Sequence, residues 1–233
     1  MAAPDSNIPG LPEEVAAIRR EISAFLDRRD STSRKIGNST FGVYIFYDYD
    51  GEPIYVGQTK ESLRSRISRH LTNQRTDAVA MNVLDPFEVA EIEIWPLDDL
   101  IADIPVDDRA SFLDRAEFTV FQKALAESPL GAILNEKEVP VLAVIALPPS
   151  FRGRIIPDSI YPRRKHPDVR AARRAATIAA LARVISERDV SDGLRRTLLT
   201  QARRLEVLAS QRLAELGIPP NRNASALPPP DAT

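Results

Sequence analysis

The stretch FGVYIFYDYDGEPIYVGQT, residues 41–59, holds four of the chain's five tyrosines. Both of its halves are rich in β-branched and aromatic residues, a composition typical of strands. Asp50-Gly51 separates the halves and is a strong short-range signal for a hairpin turn. The stretch therefore predicts a β-hairpin, and it leaves open whether the tyrosines serve packing or chemistry.

Composition limits the classes of protein that the chain can belong to. The 233 residues are 43% hydrophobic and 27% charged, which is typical of a globular protein with a sizeable core. Without cysteine there can be no disulfides, thiolate metal sites or cysteine nucleophiles. His70 and His166 lie too far apart in sequence to favour a structural zinc site. No signal peptide and no apolar run long enough for a membrane span are present, so we expect a cytoplasmic protein.

The net charge of −2 conceals an uneven charge distribution. Residues 60–75 carry five Lys/Arg against Glu61 alone, and residues 152–174 carry eight against two acids. Between these basic segments, residues 85–117 carry eleven acids. Basic segments can contact phosphates, but they can equally be solvated faces, and charge alone leaves both interpretations open.

Hydrophobic periodicity predicts the remaining elements. The predicted helices cover residues 11–29, 60–71, 105–128, 167–188 and 191–216, and the predicted strands after the hairpin cover 86–97 and 138–147. Residues 148–167 are rich in proline and arginine and predict a mostly irregular connection. The expected fold is α/β (α+β): a small, mostly antiparallel sheet with flanking helices.

The same pattern suggests a division of the chain into four parts. We expect an N-terminal helical extension at 1–39 and an α/β core at 40–147. A basic connection and a helical pair follow at 148–216, and a disordered proline-rich tail at 217–233.

Three polar residues lie where their helices should meet the core. Arg66 and His70 fall at the border of the apolar stripe on the helix at 60–71, so we expect both to be half-buried. Glu117 falls within the apolar arc of the helix at 105–128. A carboxylate there needs a partner, because burying a lone charge costs several kcal/mol or more. A divalent metal would be such a partner, and so would Arg66.

The order of these residues resembles a known signature. GVY at 42–44 and YVG at 55–57 are similar to the two halves of the GIY-YIG nuclease motif, with valine in place of each central isoleucine. Arg66 and His70 match the family's helical arginine and its next-turn histidine or tyrosine. Glu117 matches the glutamate of a later helix, and Asn135 in SPLGAILN matches the closing asparagine. The resemblance spans roughly residues 40–147, and the interval between His70 and Glu117 is longer than in the smallest members of the family.

The resemblance implies phosphodiester hydrolysis in double-stranded DNA. It assigns catalysis to six residues: Tyr44, Tyr55, Arg66, His70, Glu117 and Asn135. Mg²⁺ or Mn²⁺ would bind at Glu117, Arg66 would hold a phosphate oxygen, and either Tyr44 or His70 would help to take a proton from the attacking water. Eight cations are expected to contact the phosphate backbone of the DNA: Lys60, Arg64, Arg69, Arg152, Arg154, Arg163, Arg164 and Lys165. The loop at 72–85 or the C-terminal helices are expected to enter the DNA grooves.

Among the members of this family, a chain of this size without a separate DNA-binding module looks most like a type II restriction enzyme. A homodimer through the C-terminal helices is a further expectation. The alternatives are a repair or mobile-element nuclease, a DNA-binding or interaction protein on a catalytically inactive scaffold, and a helical assembly factor built on residues 167–216. The six intact positions favour the nuclease, and no recognition sequence follows from the residues.

Overall fold

A computed structural model of the protein describes residues 12–71, 84–135 and 139–219. Within these ranges the strands are β1 (Gly42–Tyr47), β2 (Pro53–Thr59), β3 (Glu91–Pro96) and β4 (Phe151–Arg154). The helices are α1 (Glu13–Leu26), α2 (Leu63–Leu71), α3 (Asp98–Ala102), α4 (Arg109–Glu127), α5 (Tyr161–Lys165), α6 (Pro167–Glu187) and α7 (Asp192–Glu215). Most of the loop at 72–85 and of the proline-rich tail lies outside the described ranges.

The four strands form one sheet in the order β2-β1-β3-β4, and every neighbouring pair is antiparallel. This confirms the predicted small antiparallel sheet with flanking helices. The predicted hairpin is present as β1 and β2. Its turn places Gly51 at φ +76°, a left-handed conformation that glycine adopts at no steric cost. β2 is an edge strand, so its outer side is open to other parts of the chain.

The two faces of the sheet carry separate apolar clusters because side chains alternate along each strand. Val43, Ile45 and Tyr47 of β1 pack with α4 on one face. Tyr44 and Phe46 pack on the other face, in a cluster that also contains apolar residues of α1, α2, α6 and α7. The alternation within β1 therefore decides which tyrosine belongs to which cluster.

The predicted strand at 138–147 is wrong. Residues 139–147 form no strand, although Ile145 and Leu147 pack against the α4 cluster, and Val141 is 89% exposed. Proline lacks the N–H that a strand donates to its neighbour, and Pro140 begins this segment. The fourth strand comes instead from residues 151–154, inside the segment predicted to be irregular, where α5 also forms.

The remaining predicted elements are present with shifted ends. The predicted strand at 86–97 begins only at Glu91, after a 3₁₀ turn at Pro86–Glu88. Helix 105–128 begins with a 3₁₀ turn at Val106–Asp108, and the C-terminal pair is present as α6 and α7. In the part of the chain that the structure describes, no helix is long and apolar enough to cross a bilayer.

A buried ionic cluster joins α6 and α7 to the turn of the hairpin. One oxygen of Asp48 accepts hydrogen bonds from Arg170, Arg174 and Arg204 at 2.9, 2.9 and 2.7 Å. The other oxygen accepts from the backbone N–H groups of residues 50 and 52, at 2.9 and 3.0 Å. Asp48 therefore holds its own turn and anchors the helical pair at the same time.

Candidate active site

Two signature glycines allow the site to assemble. A Cβ added at Gly42 would lie 2.9 Å from side-chain carbons of Leu63, so the glycine lets α2 approach β1 closely. A Cβ added at Gly57 would lie 2.5 Å from the hydroxyl oxygen of Tyr44. Gly57 is paired with Tyr44 across the ladder, and its missing side chain makes room for the tyrosine ring. Glycine is thus required at both positions, because the side chains of Leu63 and Tyr44 occupy the space that a Cβ atom would need.

Tyr44 is fully buried at the centre of the site. Arg66 Nε donates a hydrogen bond to the Tyr44 hydroxyl at 3.3 Å, and His70 Nε2 lies 3.1 Å from the same oxygen. Burial raises the pKa of the Tyr44 phenol well above its ordinary value, and the neighbouring Tyr55 adds to this rise while Arg66 opposes it. The structure brings the two predicted helical residues together at this one hydroxyl.

Tyr55 lies on the same face but is not directly opposite Tyr44. Its cross-strand partner is Phe46, so the two signature tyrosines are diagonal neighbours. The ring centroid of half-buried Tyr55 lies 6.3 Å from that of Tyr44 and 5.3 Å from that of His70. Tyr55 therefore extends the aromatic wall from buried Tyr44 toward the surface.

The remaining two hairpin tyrosines lie outside this site and are buried in the core. Tyr47 is fully buried on the α4 face, where its hydroxyl donates to Glu93 at 2.6 Å. Tyr49 is 3% exposed and donates to the backbone oxygen of Phe87. Neither hydroxyl contacts Arg66 or His70.

Glu117 approaches the site from α4, on the other side of β2. It is half-buried, and its neighbours Ala116 and Val120 on the helix are fully buried. Burial raises the pKa of its carboxyl group to about 7. A hydrogen bond from Gln58 opposes the rise, the nearby Asp114 adds to it, and the positive charge of Arg66 opposes it.

Two residues absent from the predicted set, Gln58 and Asp114, form a hydrogen-bonded group with Glu117. Gln58 Nε2 donates to Glu117 Oε2 at 3.0 Å and to Asp114 Oδ1 at 2.7 Å. A sequence signal for both does exist. Gln58 follows the signature glycine and faces the α4 side of the sheet, where a polar residue is unusual, and Asp114 precedes Glu117 by one helical turn.

Asn135 fastens the outer side of β2 rather than contacting the Tyr44 hydroxyl. Its side-chain oxygen accepts from Val56 N and its side-chain nitrogen donates to Val56 O, both at 3.1 Å. Leu134 N donates to Ile54 O at 2.9 Å in the same way. The turn after α4 therefore continues the ladder and fixes the strand that carries Tyr55 and Gly57.

The donor set fits a hard divalent cation with few protein ligands. Among the described residues, no group of three or more His, Cys, Asp or Glu side chains could hold a metal, which is unlike a zinc site. Glu117, with Asp114 one turn away, offers one or two carboxylates. Mg²⁺ binds in this way, because it keeps several waters and takes further oxygens from substrate phosphate.

The eight cations predicted to bind DNA are scattered, and most are already paired. All eight lie within the described ranges, and two of them, Lys60 and Lys165, are exposed and form no ion pair there. The other six pair as follows: Arg64 with Asp27, Arg69 with Glu61, Arg152 with Glu91, Arg154 with Asp158, and Arg163 and Arg164 with Glu14. Lys60, Arg64 and Arg69 lie beside the site, whereas Arg152 and Arg154 lie on β4, at the opposite edge of the sheet.

Comparison with known protein families gives a match over the hairpin and α2. Residues 40–104 match the family model for the GIY-YIG catalytic domain, a range that includes Tyr44, Tyr55, Arg66 and His70 and ends before Glu117. No curated protein and no solved structure matches the chain. This range contains both halves of the signature and the two helical residues that meet at Tyr44, and the match supports membership of the GIY-YIG nuclease superfamily for this part of the chain.

Proposed function

We propose that the protein is a divalent-cation-dependent endonuclease that hydrolyses phosphodiester bonds in double-stranded DNA. The observation that carries the proposal is the relation between Arg66 and Glu117. The charge of each shifts the pKa of the other. Arg66 nevertheless donates its hydrogen bond to Tyr44, and Glu117 accepts one from Gln58. No ion pair joins the two in the part of the chain that the structure describes. The site thus holds a cation suited to a phosphate and a carboxylate suited to a metal ion, rather than a structural pair.

Arg66 binds the scissile phosphate in this proposal. Its Nε donates to Tyr44, and the other nitrogens of the planar guanidinium remain for phosphate oxygens, a geometry that arginine serves well. Tyr55 lines the approach to the same point, and Asn135 keeps β2 in register beneath it. A divalent cation held by Glu117 would stabilise the negative charge on the phosphate and on the leaving oxygen.

Tyr44 and His70 act together on the proton of the attacking water. Arg66 Nε can only donate, so the Tyr44 oxygen accepts that bond, and in this proposal His70 is the neutral tautomer whose Nε2 accepts a hydrogen bond from the Tyr44 hydroxyl. Because burial raises the pKa of Tyr44, the phenol alone is a poor source of phenolate. A neutral His70 that takes the phenol proton while Tyr44 takes one from water removes this difficulty.

The finer assignments extend this proposal. Mg²⁺ is the cation we propose, with Mn²⁺ as a substitute, because oxygen ligands dominate the site. A type II restriction role and a cytoplasmic location complete the proposal, and the product pattern of DNA cleavage tests the restriction role. A second copy of the chain would allow both strands to be cut. Exposed apolar residues of α7, including Leu199 and Val207 at 52% and 40%, offer a surface for it.

Plasmid cleavage tests the proposal directly. Supercoiled and linear plasmids are incubated with the wild type and with Glu117→Ala and Arg66→Ala, in Mg²⁺ and in EDTA. We expect cutting by the wild type in Mg²⁺ only, because Arg66→Ala removes the guanidinium that binds the phosphate and Glu117→Ala removes the ligand of the divalent cation. Arg183→Ala, at an exposed position near the end of α6, is the matched control and should cut like the wild type.

The product pattern separates the alternatives. Discrete bands support the restriction role, and a smear contradicts it in favour of a nonspecific nuclease. Absence of cleavage across many DNA substrates, with DNA binding retained, contradicts the enzyme and favours a binding protein on a nuclease scaffold. Cleavage by Glu117→Ala would contradict the proposed metal site.

A further inference from the structure

Gln58 occupies a position that the proposed reaction does not yet explain. It lies on β2 directly after Gly57, on the α4 face, in register with Val43. A single nitrogen of its side chain bonds two carboxylates of α4, at 2.7 Å to Asp114 and 3.0 Å to Glu117. A primary amide has two N–H groups, so it can satisfy both acceptors at once.

The orientation of this amide follows from its neighbours. If nitrogen and oxygen were exchanged, a carbonyl oxygen would face two carboxylates and would repel both. In the observed orientation the Gln58 Oε1 atom is buried without a hydrogen-bond partner. The two charge-assisted bonds of the nitrogen offset the free-energy cost of this unpaired oxygen. The two acids therefore determine which way the amide points.

We infer that Gln58 is a positioning residue, which holds the Glu117 carboxylate at a fixed place against β2 while Asp114 holds the amide of Gln58. This inference rests on the proposed function, because it assigns Glu117 to a divalent cation. A free glutamate side chain on a helix samples several rotamers, and the bond across to β2 selects one of them. Tyr44 packs against Gly57, the residue that precedes Gln58 in β2. The positions of Tyr44 and Glu117 are therefore both fixed by contacts with the same strand.

Asp114 completes this arrangement from one turn away. It is exposed, so its charge is well solvated, and its bond takes the second N–H of the amide. Without it, the Gln58 side chain would keep one bond and regain freedom to rotate. Asp114 thus orients the Gln58 amide, and the amide in turn orients the Glu117 carboxylate.

Binding of Mn²⁺ to the full chain without DNA tests the inference apart from cleavage. Free Mn²⁺ is measured by electron paramagnetic resonance for the wild type, Gln58→Met, Glu117→Gln and the double variant. Residues that orient a metal ligand typically contribute 10- to 100-fold to affinity, so Gln58→Met should weaken Mn²⁺ binding about 10-fold or more. In the Glu117→Gln background the same change should have no further effect, because the group it positions is gone.

Cleavage kinetics give a second readout. With Gln58→Met we expect kcat to fall while the KM for DNA stays at the wild-type value, since the amide touches a carboxylate and not the DNA. Asp114→Asn keeps an acceptor for the amide, so it should lose only about 2- to 5-fold in Mn²⁺ affinity, within the usual range for weakening one hydrogen bond. Thermal unfolding of each variant checks that the fold is kept.

Wild-type Mn²⁺ affinity and kcat in folded Gln58→Met would overturn the inference and leave the proposed function intact. A loss in Asp114→Asn as large as that in Glu117→Gln would also overturn it, because Asp114 would then be a metal ligand itself. A wild type that neither binds Mn²⁺ nor cleaves DNA would overturn the proposed function, and the inference with it.

Discussion

At the scale of single residues, Glu117 is placed where function and stability oppose each other. The chain keeps a carboxylate at a half-buried position, and burial raises its pKa to about 7. Between its ordinary pKa of 4.5 and this value, the folded protein holds a proton that the unfolded chain releases. The residue's contribution to stability is therefore full at low pH and is lost as the pH rises through about 7.

Glu117→Gln should stabilise the metal-free protein at pH 8. The amide has nearly the same shape and carries no charge, so the gain in unfolding free energy should be on the order of 1–3 kcal/mol. Near pH 5 the wild-type carboxyl is mostly protonated and the gain should largely vanish. Urea unfolding at the two pH values measures both. Asp103→Asn, at an exposed site, should change little at either pH, and a Glu117→Gln variant less stable than the wild type at pH 8 would contradict the argument.

The sequence predicted six candidate site residues, but it could not predict their contacts. Six positions followed from an ordered motif, and the structure brings Arg66 and His70 to one hydroxyl. Gln58 was missed because its role depends on a second element, α4, whose distance from β2 no local pattern gives. The function of Asn135 as a clamp on Val56 was missed for the same reason, since it requires the register of a turn against an edge strand.

At the scale of elements, strand formation was decided by pairing rather than by apolar content. Residues 138–147 are mostly apolar but contain Pro140, and the described part of the segment passes α4 without joining the sheet. β4 has the sequence FRGR, with weak local preference, yet it pairs with β3 along its whole length. Gly153 allows this, because a Cβ there would lie 2.8 Å from the ring of Phe25 on α1. The hairpin was predictable because its turn and both strands are adjacent in sequence.

The contact between the hairpin and the C-terminal helices depends on Asp48. Asp48→Ala should lower the unfolding free energy by about 3–5 kcal/mol, because three buried guanidinium groups lose a shared acceptor. Asp50→Ala removes a carboxylate that also pairs with Arg170, at 2.6 Å, but its side chain is 49% exposed. That control should lose less than about 1 kcal/mol. Urea midpoints compare the two variants, and equally small losses would mean that the ionic cluster does not anchor the helices.

At the scale of the whole molecule, most cations of the basic segment at residues 152–174 form ion pairs within the protein. Of the eight cations of residues 152–174, two lie in the buried cluster around Asp48 and others pair with acids on α1 and β3. In the part of the chain that the structure describes, these basic segments therefore contribute mainly to ion pairs and do not form one broad cationic face. The proposed DNA surface must be sought in the cations that stay unpaired.

Lys60 and Lys165 are a matched pair for locating that surface. Lys60 follows the end of β2 beside Gln58, whereas Lys165 lies in the groove beside Asp50 at the turn, roughly 20 Å away along the strand. If DNA reaches the phosphate site formed by Arg66, Lys60→Ala should weaken DNA binding and reduce the slope of log K against log salt by about 1. Lys165→Ala should leave the slope unchanged. Fluorescence anisotropy in a Glu117→Gln background, which prevents cutting, measures both slopes. An equal reduction by the two variants would mean instead that the DNA follows the full length of the hairpin, and a reduction by Lys165→Ala alone would move the DNA surface to α5 and away from the site.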